Sequence, residues 1–219
     1  MSRIKDNLKI GGGHLKKGFT LIELLVTLSI FAITTGIVMT SQGKFDNSVL
    51  LTNLAYDVAI TIRQAQTYGV NNKEFGVNGA FVAYGISFDL ATGGDSKRFN
   101  LFADTNKDYK FSDLDIALPT FSCPKNSAEC VDTYKIKRGS YIKSICAGDS
   151  ESSCQSVSRL DISFKRPNPE AVILADTGIY LPPTDNRKNY AKIVISSSDN
   201  SSLRSIIVTK VGQIYVKNQ

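Results

Sequence analysis

The feature that most limits what this chain can become is an apolar run near its start. Residues 19–39 read FTLIELLVTLSIFAITTGIVM, a stretch broken by hydroxyls and a single charge, Glu23. About 20 such residues cross a bilayer as a helix. Ahead of the run, residues 1–18 carry Arg3, Lys5, Lys9, Lys16 and Lys17 against one acid, Asp6, a net +4. The other 201 residues hold only +2 of the +6 total, and no comparable basic cluster follows Met39. Positive charge on one flank places that flank in the cytoplasm. The expectation is a single-pass protein of the cytoplasmic membrane, N-terminus inside and the remainder exported.

An uncleaved signal anchor or a secretory signal peptide is the ordinary reading of such an arrangement. A signal peptidase site, however, needs small residues at A-x-A spacing after the run, and MTSQGKF offers a poor version. Glu23 is the second departure. An acid at membrane depth costs roughly 2.5–3.5 kcal/mol on insertion scales, so such residues are functional suspects by default. A cut after Gly18 would give Glu23 a use: Phe19 would carry a free amine, with Glu23 one helical turn along on the same face. Ammonium and carboxylate could then neutralise each other, within one chain or between neighbours.

The segment KKGFTLIELLVTLSIFAI, residues 16–33, resembles the prepilin signature of type IV pilins and type II secretion pseudopilins. The resemblance rests on the basic leader, the Gly-Phe junction, the acid at a fixed offset and the aliphatic helix. It implies that a membrane prepilin peptidase cuts between Gly18 and Phe19 and then methylates the Phe19 amine. It also implies that Glu23 guides assembly with other pilin or pseudopilin subunits into a helical filament outside the membrane. On that footing the protein is a structural subunit of a type IV pilus-like or type II secretion filament, a substrate of enzymes rather than an enzyme. The general layout after the span resembles the pseudopilin H family of minor pilins, with a helix closing on RQAQTYG and a β-rich second half.

Beyond the membrane, Leu50, Leu54, Val58, Ile62 and Ala65 recur at steps of 4, 4, 4 and 3, one stripe of an amphipathic helix. The helix is expected to end near Tyr68 and Gly69, the glycine serving as C-cap. Gly36 and Gly43 weaken the helix and could let it bend or melt. Alternating and β-branched runs then follow to the C-terminus, separated by Gly, Pro, Asn and Ser clusters, with a final hairpin turning at residues 210–213. The predicted fold is α+β, a long N-terminal helix packed on an antiparallel sheet head. The expected division is a cleaved leader over residues 1–18, a transmembrane part over 19–43, and an amphipathic helix with β-rich head over 44–219.

Within the head, DTNKDYKFSDLD, residues 104–115, fits the twelve-residue calcium loop. Asp104, Asn106 and Asp108 fall at positions 1, 3 and 5, the Lys110 carbonyl at 7, Ser112 at 9 and Asp115 at 12. Phe111 is the apolar residue that ties such a loop to a core. Tyr109 stands where glycine is expected, and tyrosine tolerates positive φ poorly. The alternative is an Asp/Asn-rich surface turn.

Cys123, Cys130, Cys146 and Cys154 all lie in the exported half, which favours disulfides. The pairs Cys123 with Cys130 and Cys146 with Cys154 each close a short polar loop, and crossed pairs stay open. Zinc is disfavoured, since no C-x-x-C occurs and His14 is the single histidine. With that histidine in the leader, nucleophilic triads have no base, and Asp161, Asp176 and Asp185 read as exposed turn carboxylates. Two further functions remain: a plain membrane-anchored exported domain, and a DNA-binding minor pilin. For the latter, Lys135, Lys137, Arg138 and Lys143 on one expected hairpin, with Tyr134 and Tyr141, offer charge interleaved with aromatics. The competing reading of that patch is a solvated edge strand protected by lysines.

Overall fold

The computed structural model describes residues 18–71, 73–75, 80–91, 95–112, 123, 129–176 and 187–218, without the side chains of residues 40–46 and 80. The chain divides into two compact units at the junction of Gly43 and Lys44. A single helix, α1, spans Leu21–Val70 and includes both Gly36 and Gly43, so the helix does not melt at these glycines.

In the first unit, α1 starts directly after Thr20, whose side-chain oxygen accepts the Glu23 N–H at 3.3 Å. A Thr at the N-cap with Glu three residues on is the capping-box pattern. The segment Leu21–Met39 has mean hydropathy 2.2, long and apolar enough to cross a membrane. Its hydroxyls do not spoil it. Thr27 donates to the Leu24 carbonyl at 2.9 Å, Ser29 to Leu25 at 2.8 Å and Thr34 to Ile30 at 3.0 Å. These three hydroxyls are satisfied by carbonyls of their own helix and need no partner from lipid.

In the second unit the strands are β1 (Glu74–Phe75), β2 (Ala80–Phe81), β3 (Ala83–Asp89), β4 (Arg98–Asp104), β5 (Cys130–Lys135), β6 (Tyr141–Gly148), β7 (Gln155–Val157), β8 (Arg159–Phe164), β9 (Ala171–Asp176), β10 (Arg187–Lys188), β11 (Tyr190–Ser196), β12 (Leu203–Thr209) and β13 (Ile214–Asn218). One antiparallel sheet has the order β10-β9-β8-β3-β4-β5, another β13-β12-β11-β6-β7, and β1 pairs with β2. The α+β expectation holds, with two principal sheets where a single covered face was anticipated. The terminal hairpin β12–β13 turns as expected, through Gly212 at φ +84°.

One apolar cluster unites helix and both sheets: Leu51, Val58 and Ile62 from α1, Tyr84, Ile86 and Ile162 from the first sheet, and Ile145, Ile193 and Ile206 from the second. The buried helix stripe is Leu51, Ala55, Val58, Ile62 and Ala65, while Leu50 and Leu54 are only partly buried. This corrects the stripe read from sequence. A step of four residues overshoots a full turn by about 40°, so three in succession carry Leu50 roughly 120° from Ile62. The observed alternation of steps of 4 and 3 holds one face.

Polar contacts pin the part of the helix that belongs to this unit. Asn47 donates to Asp199 at 3.1 Å, Arg204 reaches Ser48 and Thr52 at 3.2 Å each, and Arg63 donates to the Ile214 carbonyl at 2.8 Å. Gly69 is not the C-cap; the helix runs on to Val70.

Candidate functional site

The residues that the sequence singles out fall in three places: the start of α1, a loop after β4, and a turn after β5. At the first, Gly18 precedes the helix and Phe19 is 81% exposed, so the Gly18–Phe19 peptide bond stands clear of the helix. Glu23 is exposed in the first turn of α1, with its N–H capped by Thr20. A negative side chain there also suits the positive end of the helix dipole.

The second place is the acidic loop. Asp104, at the end of β4, is 2% exposed, and its carboxylate accepts the N–H groups of Asp108 and Tyr109, each at 3.1 Å. Asn106 Oδ1 accepts the Asp108 N–H at 3.1 Å, and Asp108 Oδ1 accepts the Lys110 N–H at 2.8 Å. Asn106 Nδ2 lies among oxygens, 3.2 Å from Asp108 Oδ2 and 3.0 Å from Ser112 Oγ. Lys107 and Tyr109 both adopt left-handed backbone, φ +65° and +63°. Tyr109 therefore takes the conformation that the position demands of a glycine, and its ring lies 5.4 Å from the Arg187 guanidinium, a cation–π contact. Burial pushes the Asp104 carboxyl up and the nearby Asp108 charge adds to this, while N–H groups of Tyr109, Asp108 and Lys107 oppose it.

Two acids join this region that sequence reasoning did not place there. Glu129, 2% exposed just before β5, accepts the Ser112 N–H at 2.8 Å and the Thr105 hydroxyl at 3.4 Å. No local spacing signals a residue 17 positions beyond Ser112. Asp161 corrects the expectation of an exposed turn carboxylate: it lies within β8 at 3% exposure, beside the Arg159 Nε at 3.2 Å. Burial pushes its carboxyl up to about 6, partly offset by Arg159, Ser87 and the Phe111 N–H. Arg159 also donates to the Phe111 carbonyl, so this pair holds both backbone groups of Phe111. The Phe111 ring packs on Phe102 and Cys130 in a small second core, 5.7 Å between ring centres. Phe111 thus ties the loop to the first sheet, as the sequence predicts. Asp176 ends β9 exposed; Asp115 and Asp185 lie outside the described residues. Among the described residues, no group of three or more His, Cys, Asp or Glu side chains is arranged to hold a metal ion. The loop's remaining oxygen donors are Asn106, Ser112 and the Lys110 carbonyl.

Both disulfides follow the short-loop pairing: Cys123 with Cys130 and Cys146 with Cys154. The first fastens the start of β5 beside the Phe111 core, and the second links β6 to the residue preceding β7.

At the third place, the expected hairpin does not exist. Lys135 ends β5 in the first sheet, whereas Lys143 lies in β6 of the second. Between them Arg138 and Gly139, at φ +60° and +79°, make a tight reversal that crosses from one sheet to the other. Nor is Tyr134 an open platform. Tyr134 stacks on Phe99 at 5.2 Å with rings 7° apart and donates to Gln64 at 3.3 Å, while Tyr141 donates to Asn200 at 2.6 Å. The patch offers charge beside one stacked ring, Tyr134, and one tyrosine held by its hydroxyl, Tyr141.

Comparison with known proteins bears on the first of these places. Residues 14–39 match the family model described as the prokaryotic N-terminal methylation motif. No curated protein and no solved structure gives a significant match to the chain.

Proposed function

We propose that this chain, headed by a type IV pilin-like methylation motif, is the precursor of a pilin or pseudopilin subunit of a type IV pilus-like or type II secretion filament. The observation that carries the reading is the coincidence of the motif over residues 14–39 with an exposed apolar helix over Leu21–Met39. Before assembly that helix holds the subunit in the cytoplasmic membrane, with the basic leader inside. Prepilin peptidase cuts at Gly18 and methylates Phe19. Removing the leader discards its net +4 and creates an amine that can meet a carboxylate. Glu23 supplies that carboxylate, since pairing lowers the cost of taking each charge out of water. In the filament the apolar helices pack together by head-to-tail contacts that need not close. The β-rich unit is left outside to meet partners.

The test is intact-mass and N-terminal analysis of the protein purified from cells that contain prepilin peptidase. A start at methylated Phe19 supports the reading. An intact leader, or any other start, leaves a plain membrane-anchored exported domain. A DNA-binding minor pilin remains the third possibility, tested by salt-dependent DNA retardation.

A second proposal concerns the acidic loop, which we read as a structural calcium site. Support comes from its left-handed residues at the fourth and sixth positions and its all-oxygen donor set, which suits a hard cation. Asp104, Asn106, Asp108, the Lys110 carbonyl and Ser112 would hold the ion, with Glu129 or Asp115 as the closing carboxylate. A bound ion would offset the cost that burial imposes on the Asp104 carboxylate.

A further inference from the structure

The loop between β6 and β7 lies back across its own sheet. Glu151, at the tip, meets the Lys217 Nζ at 2.9 Å, and the Lys192 charge acts on it as well. Lys217 belongs to β13 and Lys192 to β11, so β12 runs between the two partners of Glu151. The register sets Ser205 of β12 beside Lys217 and Ile207 beside Lys192. The tip therefore stands over Ser205 and Ile207, two strands away from the one in which the loop begins.

These two residues occupy the face turned away from the main core. Ile206 and Val208 of β12 point into that core, and alternation sends Ser205, Ile207 and Thr209 to the opposite side. The outer face of an antiparallel sheet is commonly solvated and polar. Here Ser205 and Ile207 are fully buried, and Tyr190 and Val194, on the same face of β11, are buried with them. Burial first, and then the nearby Glu151 charge, push the Tyr190 hydroxyl up to about 12.

The loop is fastened firmly at its base and weakly at its tip. At the base the Cys146–Cys154 bridge closes it, and a Cβ on Gly148 would lie 2.4 Å from the Ser153 carbonyl oxygen. At the tip, both side chains of the Glu151–Lys217 pair are about half exposed. Such a pair holds little and is screened by salt. Residues 149–153 are all exposed, and the hydroxyls of Ser150, Ser152 and Ser153 bond among themselves. Closure also leaves groups unsatisfied: the Tyr190 hydroxyl, Ser205 Oγ and Thr209 Oγ1 are buried without a hydrogen-bond partner. A buried hydroxyl without a partner has forfeited its hydration, which opening would return.

We propose that residues 149–153 are a hinged cover over the outer face of the second sheet, latched by Glu151 on Lys217, tethered by Cys146–Cys154, and opening when the ion pair is released. The open form presents Ile207, Tyr190 and the hydroxyls of Ser205 and Thr209. The proposal concerns the β-rich unit alone and does not rest on assignment to a filament.

Hydroxyl-radical footprinting of the full chain in detergent, read by mass spectrometry, tests it. Oxidation of Ile207 and Tyr190 reports opening, exposed Tyr56 calibrates the radical dose, and Ile193 in the main core reports loosening of the whole unit. Glu151→Lys puts a third cation beside Lys192 and Lys217. It should raise oxidation at Ile207 and Tyr190 about threefold, with Ile193 and Tm unchanged. Adding Lys217→Glu should restore the protection. High salt should raise Ile207 oxidation in the unaltered chain, a readout independent of how the variants fold. Protection of Ile207 that survives Glu151→Lys overturns the latch; if that variant does not fold, protection that survives high salt does so. A rise at Ile207 matched at Ile193 also overturns it, since the whole unit would then be loosening.

Discussion

Gly69 packs directly against the backbone of Phe164: a Cβ at Gly69 would lie 2.2 Å from the Phe164 carbonyl oxygen and 2.8 Å from its carbon. The last turn of α1 is thereby set onto the end of β8, at the opposite end of the helix segment from the Asn47–Asp199 contact. Glycine is required here for closeness of approach, a different reason from the cap that its position near a helix end suggests.

Gly69→Ala is expected to destabilise the β-rich unit by about 1–3 kcal/mol, since the colliding atoms belong to backbone and cannot rotate away. For a unit of this size that lowers Tm by several degrees. Gly36→Ala, with nothing within 4 Å, is the control and should leave the transition of this unit in place. Thermal melts of the two variants in one detergent decide the matter; equal melting would remove the packing role.

Asp161 makes stability depend on pH in a definite direction. Its folded carboxyl is raised from 3.8 to about 6 by burial, so between those values the folded state holds a proton that the unfolded chain has lost. The stabilisation is complete below about pH 4, declines as pH rises, and is gone above about pH 6. In the presence of EDTA, Asp161→Asn should remove this component from the stability profile measured by urea unfolding. A profile of unchanged shape in the variant would show that Asp161 does not titrate in that window.

Calcium at millimolar concentration is expected to raise Tm, by the mass-action gain of an ion that binds the folded state alone. EDTA should reverse the gain. Asp108→Asn should abolish most of it, and Glu129→Gln compared with Asp115→Asn will identify the closing carboxylate. Magnesium, smaller and stricter in geometry, should give less. No calcium-dependent shift would leave the loop as a self-bonded turn.

Glu23→Ala should leave cleavage after Gly18 intact while removing the subunit from sheared filaments. Mass spectrometry of the membrane fraction and immunoblotting of the sheared fraction separate the two steps. Normal recovery in filaments would dissociate Glu23 from assembly and leave it as the partner of Thr20 in a capping box.

Loss of the Cys146–Cys154 bridge in the double serine variant should cost roughly 2–3 kcal/mol on a chain-entropy estimate. β7 has only three residues, Gln155–Val157, and among the described residues pairs with β6 alone, so local hydrogen exchange should rise first there. Uniform exchange across the unit would argue against a local staple.

What the sequence determined by itself is whatever rests on local chemistry. The basic leader, the apolar run, the Gly18–Phe19 junction and the Glu23 offset are properties of consecutive residues, and no distant contact is needed to read them. The terminal hairpin and the alternating Asp104, Asn106 and Asp108 belong to the same class, whereas the sequence favoured the short-loop disulfides but left crossed pairs open until the structure joined Cys123 to Cys130 and Cys146 to Cys154. Burial and company were decided by tertiary structure. Leu51 replaced Leu50 on the inner face because a helix face is fixed by what packs on it, and successive steps of four drift off it. Glu129 entered the acidic loop and Asp161 lost its solvent because strands distant in sequence brought other atoms over them. Lys135 and Lys143 look like neighbours on one hairpin, yet one turn at Arg138 and Gly139 sends them to different sheets. Spacing along a chain reports the geometry of one element, whereas desolvation depends on which elements meet, and that depends on the whole core.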